Sequence, residues 1–254
     1  MPERTIFRGV RLVDPAAGRD EHADVVVVDG VIESVDPAGK GSGTGEIVEG
    51  DGLVLAPGFV DLHCHLREPG WEDRETVETG SRAAAAGGFT AVAAMANTDP
   101  VADNAAVIQE VLTLAEKAGL CDVSPVGAIT IGLAGEVLTE MGEMASLGVR
   151  MFSDDGHCVP RSRVLRMALE YARAFDVIIA EHCEDTSLSE GTHVHEGPTS
   201  EARRLGDTPP RPRRSSSRAT SLWRASPEAA CTCATSRPRG PLSWFAGPRA
   251  RACG

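Results

Sequence analysis

The chain has 254 residues, 42 % hydrophobic and 24 % charged, with a net charge of −12, long enough for one large α/β domain with a buried core. The acidic balance argues against a nucleic-acid partner, and the lack of an 18-residue apolar run or of a signal-peptide core argues against a membrane. Seven cysteines, an odd number without framework spacing, fit a cytoplasmic protein rather than a disulfide scaffold.

The charge is unevenly spread. Residues 1–200 hold 14 Lys and Arg against 34 Asp and Glu, a net of −20, whereas residues 201–254 hold 11 Arg against 3 acids, a net of +8. Three of the seven cysteines and two of the three tryptophans, Trp223 and Trp244, crowd those last 54 positions. The final stretch is a different kind of sequence.

In chain order, residues 1–57 read as short strands with turns, a small β-module. Ala23 to Val28, then Asp29-Gly30, then Val31 to Val35 is a hairpin signal. Gly39 to Gly45 is a polar turn, and Leu53 to Leu55 precedes a break at Ala56-Pro57-Gly58. From Phe59 the pattern alternates between strand and helix. Strands are expected at 59–65, 90–96, 123–129, 149–152 and 177–182, and helices at 75–86, 103–118, 136–147 and 161–175. Glycines close the first three helices: Gly87-Gly88, Gly119 and Gly148. Strict alternation predicts a parallel sheet covered by helices.

Polar residues gather at the C-terminal ends of these strands: His63 and His65, Asn97, Thr130, Asp155 and His182. A (β/α)₈ barrel carries its active site on that rim. A doubly wound sheet would usually offer a glycine-rich phosphate loop after strand one, where this chain has histidines. The barrel is favoured. Alternation along a strand points His63 and His65 to one face, half of a metal site. Arg67 follows on the same parity, a fixed cation suited to a substrate carboxylate. Glu181-His182 offers another ligand group, and Asp154-Asp155-Gly156 reads either as an Asx turn or as a carboxylate that bridges two metals. His193 and His195 form another His-x-His, but in a loop, where a structural role is favoured. Cys64 and Cys183 adjoin the candidate ligands and should alternate away from the metal.

The stretch Asp61-Leu62-His63-Cys64-His65-Leu66-Arg67-Glu68-Pro69-Gly70 resembles the signature of cyclic amidohydrolases, most closely the class I bacterial dihydroorotases. The resemblance implies a TIM-type metal-dependent hydrolase barrel (58–207) behind the β-module (1–57). It also implies two Zn²⁺ ions, with His63 and His65 on one, His182 on the second and Asp155 bridging. Arg67 and Asn97 would grip the substrate, and the implied reaction is the reversible opening of dihydroorotate to carbamoyl aspartate in pyrimidine biosynthesis. Many relatives bridge their metals with a carboxylated lysine at the end of strand four. No lysine follows Lys117 here, which favours the aspartate-bridged class over hydantoinase or allantoinase relatives.

The resemblance ends near residue 205. The family's later strand-end histidine and proton-transfer aspartate have no counterpart, for no His follows His195, and only Glu201, Asp207 and Glu228 are acidic beyond residue 200. Residues 208–254 read as a non-homologous basic tail translated out of frame. Joining the third base of each codon to the first two of the next lets residues 210–224 encode Glu-Ala-Glu-Glu-Val-Ile-Val-Ala-Arg-Asp-Leu-Ala-Leu-Ala, an amphipathic helix. Residues 230–236 can likewise encode Leu-His-Val-Cys-His-Val, a strand with the missing His. As written, the chain has five strand–helix units, and a barrel opened at both edges is expected to fold poorly and to be inactive. A non-catalytic homologue that packs on a partner such as aspartate carbamoyltransferase is the alternative from another class.

Overall fold

The computed structural model describes residues 3–184, with the backbone of short strands at 194–195, 207–208 and 231–233. The chain divides into two compact units between Phe59 and Val60. His193, the side chain of His195 and most of the basic tail lie outside the described residues.

The first unit is a sheet of β1 (Arg4–Asp14), β2 (Arg19–Val28), β3 (Val31–Pro37), β4 (Glu46–Glu49) and β5 (Val54–Leu55). Its order is β3-β2-β1-β4, with β5 also on β1. The expected hairpin joins β2 to β3, and φ of 48° at Asp29 and 78° at Gly30 gives the primed turn that matches strand twist. Alternate residues Val10, Leu12, Ala23 and Val25 form its core. Asp24, on the opposite parity of β2, is wholly buried, and its carboxylate accepts the Gly9 and Gly41 amides at 2.8 Å each.

The second unit contains β6 (Phe59–Cys64), α1 (Val77–Ala86), β7 (Phe89–Ala94), α2 (Ala105–Ala118) and β8 (Asp122–Pro125). After these come a short 3₁₀ turn (Ile131–Leu133), α3 (Met141–Ser146), β9 (Met151–Phe152), α4 (Ser162–Arg173) and β10 (Ile178–Glu181). Helix ends follow from local chemistry. Thr76 and Thr79 form a reciprocal capping box on α1, and Asn104 accepts the Ala106 and Val107 amides at the start of α2. Gly119, at φ 62°, closes α2 in the left-handed conformation.

Strands β6, β7 and β8 lie side by side, and β7 and β8 are parallel. A parallel bridge from Gly127 to Phe152 carries the arrangement on to β9, which pairs in parallel with β10. Beyond the helices, β11 (Val194–His195) pairs with β12 (Asp207–Thr208), and β13 (Cys231–Cys233) continues the sheet in parallel on β10. Each of β6 to β10 thus neighbours the next in sequence, the pattern of a β/α barrel, with five strands and four connecting helices among the described residues.

Strands β7, β9 and β10 are buried on both faces, as parallel strands require, whereas the edge strand β6 is only partly covered. Ala93, Met95, Val126, Met151 and Ala180 cluster on the inner face with Ile178. Val92 and Ala94 pack with α1 and α2 residues, and Phe152 and Ile179 with α2, α3 and α4 residues, on the outer face.

Several elements are shorter than their sequence suggests, two of them because of how their backbone bonds elsewhere. The third barrel strand, expected over 123–129, ends at Pro125 because the chain changes partner. Val126 N–H bonds to Ala94, but Gly127 N–H bonds to Met151 O, on β9. The third helix, expected over 136–147, begins only at Met141. The stretch before it folds back on the strand end, with Ile131 N–H on Val137 O and Thr139 N–H on Ile129 O. No helix among the described residues is long and apolar enough to cross a membrane.

Candidate metal centre

The site forms where the inner parity of the strands runs past their C-terminal ends. Cys64 packs in the outer cluster with Leu66 and Val77, so His63 and His65 on either side of it take the inner face. On β9, Met151 faces inward and Phe152 outward, and the same alternation carries Asp155 inward. On β10, Ala180 is inner, which brings His182 to the same rim.

These four side chains converge. His63 Nε2 lies 3.3 Å from Asp155 Oδ1, and His65 Nε2 lies 3.4 Å from Asp155 Oδ2. His182 Nδ1 lies 3.3 Å from Asp155 Oδ1. The ligand atoms of His63, His65 and Asp155 all fall within 4.8 Å of one another. Tetrahedral donors about 2.0–2.1 Å from a zinc-type ion stand roughly 3.3 Å apart, so this separation and this N/O donor set fit such an ion. His182 approaches the same Asp155 oxygen, Oδ1, as His63 does.

Other side chains orient the imidazoles. Asn97, beyond β7, sets its Oδ1 2.9 Å from His65 Nδ1; a proton held there leaves Nε2 as the free donor. Glu184 Oε2 lies 3.0 Å from His182 Nε2. Burial alone would raise the Asp155 carboxyl, but the hydrogen bond with His182 and the charges of His63, His65 and His182 outweigh it and hold it below the usual carboxylate range.

Arg67 lies beyond the regular strand. Regular strand ends at Cys64, and Arg67 sits at φ 64°, so alternation from His65 no longer decides where its side chain points. The loop it opens is held by Gly70, at φ 98°, where a Cβ would come within 2.0 Å of Asp99 O. The Asn97–His65 and Glu184–His182 contacts were not foreseen from sequence. For the second, the spacing of two residues was a usable signal.

A sequence profile described as Dihydro-orotase-like matches residues 52–209. The chain belongs to that family. Among curated dihydroorotases, it is 48 % identical to that of Streptomyces coelicolor over 208 residues, covering 81 % of this chain and 47 % of the relative. It is 52 % identical to that of Mycobacterium bovis over 203 residues, covering 79 % and 46 %. The chain therefore spans about half the length of these dihydroorotases. Its fold resembles L-hydantoinase from Arthrobacter aurescens (TM-score 0.72, 19 % identity, 92 % of this chain and 52 % of that one). D-hydantoinase from Bacillus sp. AR9 is also similar (TM-score 0.62, 18 % identity, 90 % and 51 %).

Proposed function

We propose that this chain carries the first part of a dihydroorotase active site, one that reversibly hydrolyses the cyclic amide of dihydroorotate to carbamoyl aspartate. The observation that carries the reading is the His63, His65 and Asp155 cluster at the strand-end rim, in a chain about half of whose aligned residues match curated dihydroorotases. His63 and His65 would hold one zinc, His182 a second, and Asp155 both. Bound there, the ions supply Lewis acidity for polarising a carbonyl and acidifying water. Asn97 and Glu184 hold two imidazoles in donor orientation, and Asp155 stays ionised as a bridge must. Arg67 is the cation for the substrate carboxylate, and the amide nitrogen of Asn97 is free to face the ring.

The reading extends to the organisation of the chain: a β-module over 1–57, the opening of the barrel over 58–207 and an out-of-frame tail from 208. The end of the family match at residue 209 supports that boundary. Resequencing the coding DNA from about codon 195 onward tests it. A displaced base near codons 200–209 and an open frame beyond would give a chain with metal-dependent dihydroorotate turnover, abolished by chelation and by His63→Ala. Hydrolysis of hydantoins or allantoin without action on dihydroorotate would overturn the substrate assignment.

A further inference from the structure

Two buried carboxylates directly precede two of the proposed ligands. Asp154 stands before Asp155 and Glu181 before His182, each about 1 % exposed. Strand alternation sends each to the outer face while its neighbour turns inward, Asp154 on the parity of Phe152 and Glu181 on that of Ile179. Each reaches back to the loop that leaves the preceding strand.

Asp154 Oδ1 accepts the backbone amides of Ile129 and Thr130 at 2.8 and 3.0 Å, and its Oδ2 accepts the Thr130 hydroxyl. That hydroxyl oxygen in turn accepts the Gly135 amide at 2.8 Å. Glu181 Oε1 accepts the amide of Val159 at 2.8 Å, four residues beyond Asp155 in the loop that leaves β9. The same device thus recurs at two successive strand ends. Strand β9 is fastened to the loop after β8, and β10 to the loop after β9. A buried carboxylate that left its amides unpaired would be costly on both sides, so these contacts fix the two strand ends firmly. The ligand one residue on inherits that position, because a single peptide unit separates them.

We propose that Asp154 and Glu181 are positioning residues of the metal centre, a chain of outward carboxylates that sets the inward placement of Asp155 and His182. The proposal rests on the metal-centre reading above. Loss of an outer contact of this sort typically lowers metal affinity about 10–100-fold.

The test uses cobalt(II) as the probe, titrated into the full chain against a chromophoric chelator, with the visible absorption band read alongside circular dichroism. Asp154→Ala and Glu181→Ala are expected to weaken cobalt affinity at least tenfold and to alter the band while the chain remains folded. Asp154→Asn and Glu181→Gln, which keep one acceptor oxygen, are expected to recover part of the loss. Lower thermal stability with affinity and band unchanged would mean that the carboxylates serve the fold alone, and would overturn the proposal. Should the alanine variants fail to fold, Thr130→Val decides, since it removes only one contact of Asp154: weaker affinity supports the proposal and unchanged affinity overturns it. An unsubstituted chain that circular dichroism shows to be folded and that still binds no cobalt would refute the metal-centre reading and this proposal with it.

Discussion

Burial pushes the Asp155 carboxyl up, but the hydrogen bond with His182 and the neighbouring imidazoles of His63, His65 and His182 hold it below the usual carboxylate range. Glu181, one strand over, has the opposite balance. Burial pushes its carboxyl up from 4.5 to about 7. The folded state therefore holds a proton that the unfolded chain releases between those values. Glu181 supports the fold fully below about pH 4.5, and that support is lost as pH rises through about 7. Over that window the effect is at most about 3 kcal/mol. In metal-free protein, the urea midpoint of the parent should fall between about pH 5 and about pH 8, and Glu181→Gln should flatten that fall. Equal slopes in the two proteins would show that Glu181 is not the titrating group. The pairing of His63 with His65 was legible from strand parity, whereas the choice of Asp155 and His182 came from the family resemblance. Arg67 escaped the parity rule through its positive φ. The Asn97–His65 contact joins residues 32 apart in sequence, a tertiary fact that no local pattern encodes.

At the level of elements, helices α1 and α2 were readable because caps and apolar spacing agree, and α4 from its apolar spacing alone. Strand β8 and helix α3 were not. The apolar residues of 123–129 look alike in sequence, yet the first part pairs with β7 and Gly127 with β9. Val137 and Leu138 carried a helical pattern, but the backbone there spends its hydrogen bonds on the preceding strand end. Gly127 marks the change of partner. A Cβ there would lie 2.5 Å from Cε1 of Phe152, whose ring is fully buried. Gly127→Ala must therefore push β9 outward. The expected cost is about 1–3 kcal/mol, seen as a lower urea midpoint, together with weaker cobalt binding, because Asp155 lies three residues beyond the displaced ring. A variant as stable as the parent would show that β9 can yield freely.

For the whole molecule, the fold class was legible from alternating strands and helices and from the histidines that end the first barrel strand. In its written frame the tail was legible as a change in composition, since basic, proline-rich sequence has no periodicity from which to read a core; its other signal lay in the shifted reading of its codons. The origin of the bridging group has a further bearing on how the centre assembles. A carboxylated lysine must first capture dissolved carbon dioxide before it can join two ions, which ties such a centre to the gas content of its surroundings. The oxygens of Asp155 are part of the polypeptide from translation onward. Cobalt uptake by this chain should therefore reach the same extent in carbon-dioxide-free buffer as in bicarbonate. A requirement for bicarbonate would mean that some other nitrogen, not Asp155, supplies the bridge. If Asp155 is the bridge, as proposed, maturation of the centre would depend on metal supply alone.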